Sequence, residues 1–255
     1  MELWKYRELL YFLAWRDVKV RYRQALLGVA WAVIQPLFAM IIFTLFFGRL
    51  AGMPSDGIPY PLFSFCALVP WTYFSSTLAQ AGNSLLSNSN LITKVYFPRV
   101  LLPTASAVSG LLDFGVGSAF LAMMMVYYGA RPGWTLLLFP LFLLLMMALV
   151  VGVSMLLAAL NVRYRDVKYA LPFVIQLWLF VTPIIYPATF VPARFQRLLA
   201  LNPMCGIVEG FRSALFPQRP LDWTLVGISL AGTTLLFACG ALYFRRTERS
   251  FADII

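Results

Sequence analysis

The sequence predicts an all-α integral membrane protein, and three observations carry that expectation. Apolar residues make up 61% of the chain and charged residues 12%, against roughly 45–50% and about 25% in ordinary globular proteins. Several apolar runs exceed the roughly 18 residues that signal a bilayer-crossing helix. Those runs do not alternate apolar with polar residues, as strands of a transmembrane barrel do over about ten positions. Each span is a structural unit by itself, so residues 1–255 read as one transmembrane domain.

The chain begins with a segment too charged to cross. In WKYRELLYFLAWRDVKVRYRQ, Leu9, Leu10, Phe12, Leu13 and Val20 recur among charges at roughly helical spacing, and Trp4, Tyr6, Tyr11 and Trp15 flank them. An amphipathic helix within residues 1–25, lying in the inner interface, is expected. Six transmembrane helices follow, at about 29–47, 62–84, 100–127, 134–160, 170–186 and 223–244. No cleavage site follows the first, which is expected to be an uncleaved anchor. An even number of spans puts both termini on one side. Fourteen of the twenty Lys and Arg residues fall on that side or in its loops, and six, including Arg194, Arg197, Arg212 and Arg219, fall opposite. The positive-inside rule then makes both termini, and the tail 245–255, cytoplasmic.

Two loops are more than connectors. In LLSNSNLITKVYFPRVLLP, Ser87, Asn88, Ser89 and Asn90 are helix-capping types. A short helix over 91–97 is expected, with Pro98 turning the chain into the third span. That helix either docks on a partner through Leu91, Lys94, Tyr96 and Phe97 or is an ordinary turn. The outer loop 187–222 is long. Pro192 is placed to start a helix ending near Leu201, and Asn202-Pro203 to cap a second one reaching about Phe216. Both are too short to cross, so they read as re-entrant or interfacial elements. In the second, Ile207, Phe211 and Leu215 recur every four residues. The pair either narrows a pore or forms an inert cap.

Several chemistries are excluded. The chain has no histidine, so it carries neither a Ser-His-Asp triad nor a histidine-based zinc motif. No glycine precedes a lysine, so there is no phosphate-binding P-loop. Cys66, Cys205 and Cys239 are too widely spaced for a metal pair or a disulfide framework. Asp113 is the one clear acid inside a span, where a carboxylate is costly and functional by default. With no basic partner in the spans it is a poor proton relay, and a hydrogen-bonding or packing role is expected.

RDVKVRYR at 16–23 and NVRYRDVKY at 161–169 contain the same two tetrapeptides in opposite order. Both precede spans on the cytoplasmic side. They read as interface anchors of Arg, Lys and Tyr, or as a site of substrate or partner docking.

Together with ITKVYFPRVLLP at 92–103, TPIIYP at 182–187 and LNPM at 201–204, these patches give the chain a full-length resemblance to a family. It resembles the membrane subunit of ABC-2 type polysaccharide exporters, which move lipid-linked O-antigen, capsule and teichoic acid chains. The resemblance implies a homodimer paired with two copies of a separate ABC ATPase, which holds the ATP and Mg; this chain holds no cofactor and is not an enzyme. It implies a multi-pass protein of the bacterial inner membrane, in contact with membrane lipid, with a lipid-linked polysaccharide as substrate and no nucleic acid. The segment 87–97 would be the family's coupling helix, and the helices of 187–222 its outer gate. Arg21, Arg23, Arg163 and Arg165 would flank the cytoplasmic mouth, where a pyrophosphate-linked lipid arrives. A sliding sugar chain suits apolar rings with little directional demand. Spans one and five each combine rings with a glutamine and follow a basic patch. Trp31, Gln35 and Phe38 share one helical face and Gln176 and Phe180 another, so these five are expected to line the channel, packing being the alternative. Rival readings are an ABC-2 exporter of a drug or lipid, an ion-coupled secondary transporter, and an intramembrane glycosyl- or acyltransferase.

Overall fold

The computed structural model describes residues 5–23, 28–164, 166–248 and 251, and every described element is helical. Helix α1 (Arg7–Tyr22) precedes the first crossing. Gly28, at φ 49°, takes a left-handed conformation open to glycine, where the chain turns into the membrane. A 3-10 turn, α2 (Trp31–Phe43) and a π-helical stretch then form one crossing, Gly28–Leu50. Helix α3 (Tyr60–Gly82) is the second. The short α4 (Ser84–Ser87) and α5 (Ser89–Lys94) lead to α6 (Leu101–Tyr127). Helix α7 (Phe139–Arg163) continues a 3-10 turn from Trp134. Helices α8 (Val167–Val181), α9 (Ala193–Ala200), α10 (Pro203–Leu215) and α11 (Trp223–Thr247) complete the chain.

Five of these helical segments are long and apolar enough to cross a membrane: Gly28–Leu50, Tyr60–Gly82, Leu101–Tyr127, Trp134–Arg163 and Trp223–Thr247. The sixth expected crossing, 170–186, is not one continuous helix. Its helix has 15 residues, about 22 Å at 1.5 Å per residue, short of the roughly 30 Å hydrocarbon core. The reason lies in Thr182-Pro183. A residue before proline is pushed out of the helical region, and Thr182 is extended, at φ −94° and ψ 137°. Beyond it the chain is irregular, yet Thr182, Ile184 and Ile185 are buried. Irregular backbone at membrane depth needs protein cover of this kind.

Helix α3 is the axis of the bundle. Of its most apolar window, 78% is buried, although its mean hydropathy, 1.2, is the lowest of the five. Helices α2, α6, α7, α8 and α10 all pack on it. A helix surrounded by protein need not be oily all round, and it can carry hydroxyls that find internal partners: Tyr73 donates to the Ala107 carbonyl at 3.0 Å and Ser64 to the Tyr60 carbonyl at 3.0 Å. Helices α7 and α11 meet backbone to backbone. A methyl group on Gly240 would run into the Gly152 carbonyl, and one on Gly152 into the backbone of Phe237. Small residues permit that approach, and in lipid the resulting van der Waals contact drives helix association.

A second apolar cluster sits at the end of the bundle that carries α1. Leu13 and Ala14 of α1, Ile92 and Phe97 of the loop, Met155 of α7 and Phe251 share it. The loop differs from expectation: α5 ends at Lys94 and Val95 is extended, so the chain leaves the helix before Phe97. Asn88 does not cap α5. Its amide donates instead to the Ser84 carbonyl at 2.8 Å.

Candidate functional site

Polar chemistry concentrates in two clusters. In the first, α1 reaches Asp113 at the middle of α6. Arg21 Nη1 donates to Asp113 Oδ2 and Nη2 to Gln80 Oε1, and the Tyr22 hydroxyl donates to Asp113 Oδ1. Asp113 therefore has a basic partner, which the sequence reading did not supply. It comes from α1 and not from another span. Burial first, and Asp113 next, push the Tyr22 phenol up to about 12, so it remains a proton donor to the carboxylate. Gln80 in turn donates to Asp17 at 3.5 Å, and Asp17 pairs with Arg16 at 2.9 Å.

In the second, α10 carries a buried ionic cluster. Asn202 accepts from the Met204 amide at 3.1 Å and caps the helix, as Asn before Pro at the first position favours. The Trp178 indole donates to the same oxygen at 2.8 Å, tying α8 to α10. All thirteen residues of α10 are buried. Arg212, fully enclosed, donates to the Pro183 carbonyl at 2.6 Å, to the Ile184 carbonyl at 2.9 Å and to Glu209 at 2.8 Å. Arg219 bridges Glu209 at 3.0 Å and Asp56 at 2.5 Å. One arginine thus satisfies the irregular backbone after α8, while the other fastens the loop before α3 through Asp56. Fixed guanidinium forks suit such multidentate roles, and a buried charge is tolerated only when so paired.

Ile207, Phe211 and Leu215 are buried. Phe211 packs among Phe114, Phe139 and Phe142 at centroid distances of 5.8, 4.9 and 6.1 Å. This face of α10 is core, turned toward α6 and α7.

The five residues read as channel-lining are brought to the surface of the chain. Trp31, Gln35 and Phe38 are exposed on α2, and Gln176 and Phe180 on α8. Helix α2 packs on α3 beside α6, and α8 packs on α3 beside α7.

Of the four arginines assigned to the cytoplasmic mouth, Arg21 is engaged with Asp113 and Gln80. Arg23 and Arg163 are exposed, the latter 5.5 Å from the Tyr164 ring; Arg165 lies outside the described residues. In the loop, Leu91 is half-buried, Lys94 exposed and Tyr96 95% exposed, whereas Phe97 is buried against Leu13 and its neighbours. Only the first three leave surface for a partner.

The arrangement, an apolar helical bundle holding two charged clusters, agrees with the comparison to known sequences. The family model described as ABC-2 type transporter matches residues 8–216. The chain belongs to the ABC-2 type transporter family. It is 31% identical over 258 residues to the O-antigen export system permease protein RfbA of Myxococcus xanthus, covering 100% of this chain and 98% of that protein. It is 28% identical over 253 residues to a protein of the same name from Klebsiella pneumoniae, covering 97% and 95%. The polysialic acid transport protein KpsM of Escherichia coli is 24% identical over 241 residues, covering 91% of each.

For this ABC-2 protein, sequence reasoning missed both ionic clusters. Glu209 and Arg212 stand three apart on a short helix, a pairing signal that spacing does offer. Arg21 and Asp113 are 92 positions apart, and nothing in the local sequence joins them.

Proposed function

We propose that the chain is the permease subunit of an ABC exporter that carries a lipid-linked polysaccharide of the O-antigen kind across the bacterial inner membrane. The observation that carries this reading is the full-length similarity to O-antigen export permeases, at 31% identity over 258 residues. Energy comes from two copies of a separate ATPase with bound ATP and Mg, since this sequence contains no P-loop. Two copies of the permease pair around the path. The edges of α2 and α8, with Trp31, Phe38 and Phe180 exposed, are the faces a second copy and a sugar chain would cover.

In this reading α8 and the irregular backbone after it make the sixth crossing, and both termini are cytoplasmic. The headgroup pyrophosphate meets Arg23, Arg163 and Arg165, while Arg21 is held by Asp113. Glycan then slides along rings that contact its C–H faces, with Gln35 and Gln176 as exchangeable hydrogen-bond partners. Leu91, Lys94 and Tyr96 meet the ATPase. Helices α9 and α10 form the outer gate.

Purification of the native complex in mild detergent tests the assignment. An ATPase at one copy per permease and a bound glycolipid are expected. Recovery of the permease with an ATPase but with a sugar-free lipid or drug would move the substrate to another class.

A further inference from the structure

Helix α1 is held at two places. Leu13 and Ala14 sit in the apolar cluster that also contains Ile92 and Phe97 of the loop. Eight residues further on, about 12 Å along a helix, Arg21 and Tyr22 grip Asp113 of α6 and Arg21 reaches Gln80 of α3. Between these points α1 runs along α6, with Asp17 accepting from Gln80 at 3.5 Å. A cleft of about 430 Å³ opens there, lined by Arg16, Asp17, Val20, Gln80, Ser87 and Ser106 among others. The first seat holds the loop and the start of α6, through Leu101, Leu102 and Ala105; the second holds the middle of α6 and the end of α3 by polar contacts.

The second seat is specific. An unpaired carboxylate at membrane depth is costly, so Asp113 does not release Arg21 and Tyr22 without a replacement. Sliding α1 by one residue, about 1.5 Å, would carry both donors away from it. Apolar contacts alone would tolerate such slippage; a half-buried, directional charge pair resists it.

We propose that the Arg21–Asp113 pair is the positioning contact through which α1 passes movement of the 89–97 loop to α6 and α3. The proposal rests on the reading that an ATPase drives that loop, and it concerns transmission whatever the substrate.

The test uses the complete complex, permease and its ATPase, in lipid vesicles with a cysteine-free background. Val20→Cys reports on α1 and Tyr127→Cys on the far end of α6; both native side chains are exposed, at 73% and 83%. ATP is expected to change the labelling rate of each by about threefold or more, as a shift between two populated states does. In Asp113→Asn, and separately in Arg21→Gln, the change at position 20 should persist while that at position 127 disappears. The exchange Arg21→Asp with Asp113→Arg should restore it. Persistence of the response at 127 in both single variants would overturn the proposal, as would a wild-type complex in which ATP leaves position 20 unchanged. Wild-type vesicles in which both positions respond, yet no polysaccharide moves, would overturn the substrate reading and leave this inference standing.

Discussion

Arg212 stacks its guanidinium 3.6 Å from the centre of the Phe63 ring while donating to the carbonyls of Pro183 and Ile184 and to Glu209. One side chain thereby joins α3, α10 and the irregular segment that interrupts the sixth expected crossing. Arg212→Met should destabilise the folded protein by about 3–5 kcal/mol, because it removes one partner of a buried ion pair and leaves two carbonyls unsatisfied. Arg212→Lys should recover only part of the loss, since an ammonium has neither the planar face nor the fork. Thermal unfolding in detergent measures both. Equal stability of Arg212→Lys and wild type would show that charge alone suffices.

The loop separates two neighbouring aromatics. Tyr96 is almost fully exposed and Phe97 is buried in the cluster with Leu13. Tyr96→Asp should weaken ATPase association at least tenfold, about 1.4 kcal/mol, without changing the melting temperature of the isolated permease. Phe97→Asp should lower that temperature, because it places an uncompensated charge in the cluster. Binding to the immobilised ATPase and thermal unfolding, run on the same preparations, separate the two. Reversal of the effects would place the partner surface on the Phe97 side.

Phe38 and Phe180 are exposed on the chain. If they line the sugar path, Phe38→Ala and Phe180→Ala should reduce polymer export several-fold while thermal stability changes by no more than about 0.5 kcal/mol, as for surface substitutions. Export falling only in proportion to folded complex would return both rings to packing.

Orientation is tested by labelling. Gln218 and Lys168 are both exposed. In a cysteine-free background, Gln218→Cys should react with an impermeant reagent on intact spheroplasts and Lys168→Cys should not. The opposite pattern would place the termini outside.

The sequence made the spans legible because lipid demands long apolar runs, and it made α9 and α10 legible because Pro192 and Asn202-Pro203 are local punctuation. It did not show the break in the crossing expected at 170–186, where the apolar run continues through Thr182-Pro183 although the helix does not. Hydropathy alone also hides the centrality of α3, since the least apolar of the five candidate spans is the most buried. The hydroxyls of Ser64, Thr72, Tyr73 and Thr77 were the available signal. Phe97 was expected on a helix facing a partner; extended backbone at Val95 turns it inward. The pairing of Arg21 with Asp113 depends on how α1 lies against α6, a tertiary fact that spacing does not encode.

The central claim is that this chain moves a lipid-linked polysaccharide with energy from a partner ATPase. The most direct measurement reconstitutes the purified permease–ATPase complex in vesicles with the native glycolipid on the ATPase side and follows the glycan with an enzyme or lectin confined to the other side. The account predicts ATP-dependent appearance of glycan there, abolished when the ATPase is inactivated. ATP hydrolysis stimulated by the glycolipid with no glycan crossing, or crossing that proceeds equally without ATP, would contradict it.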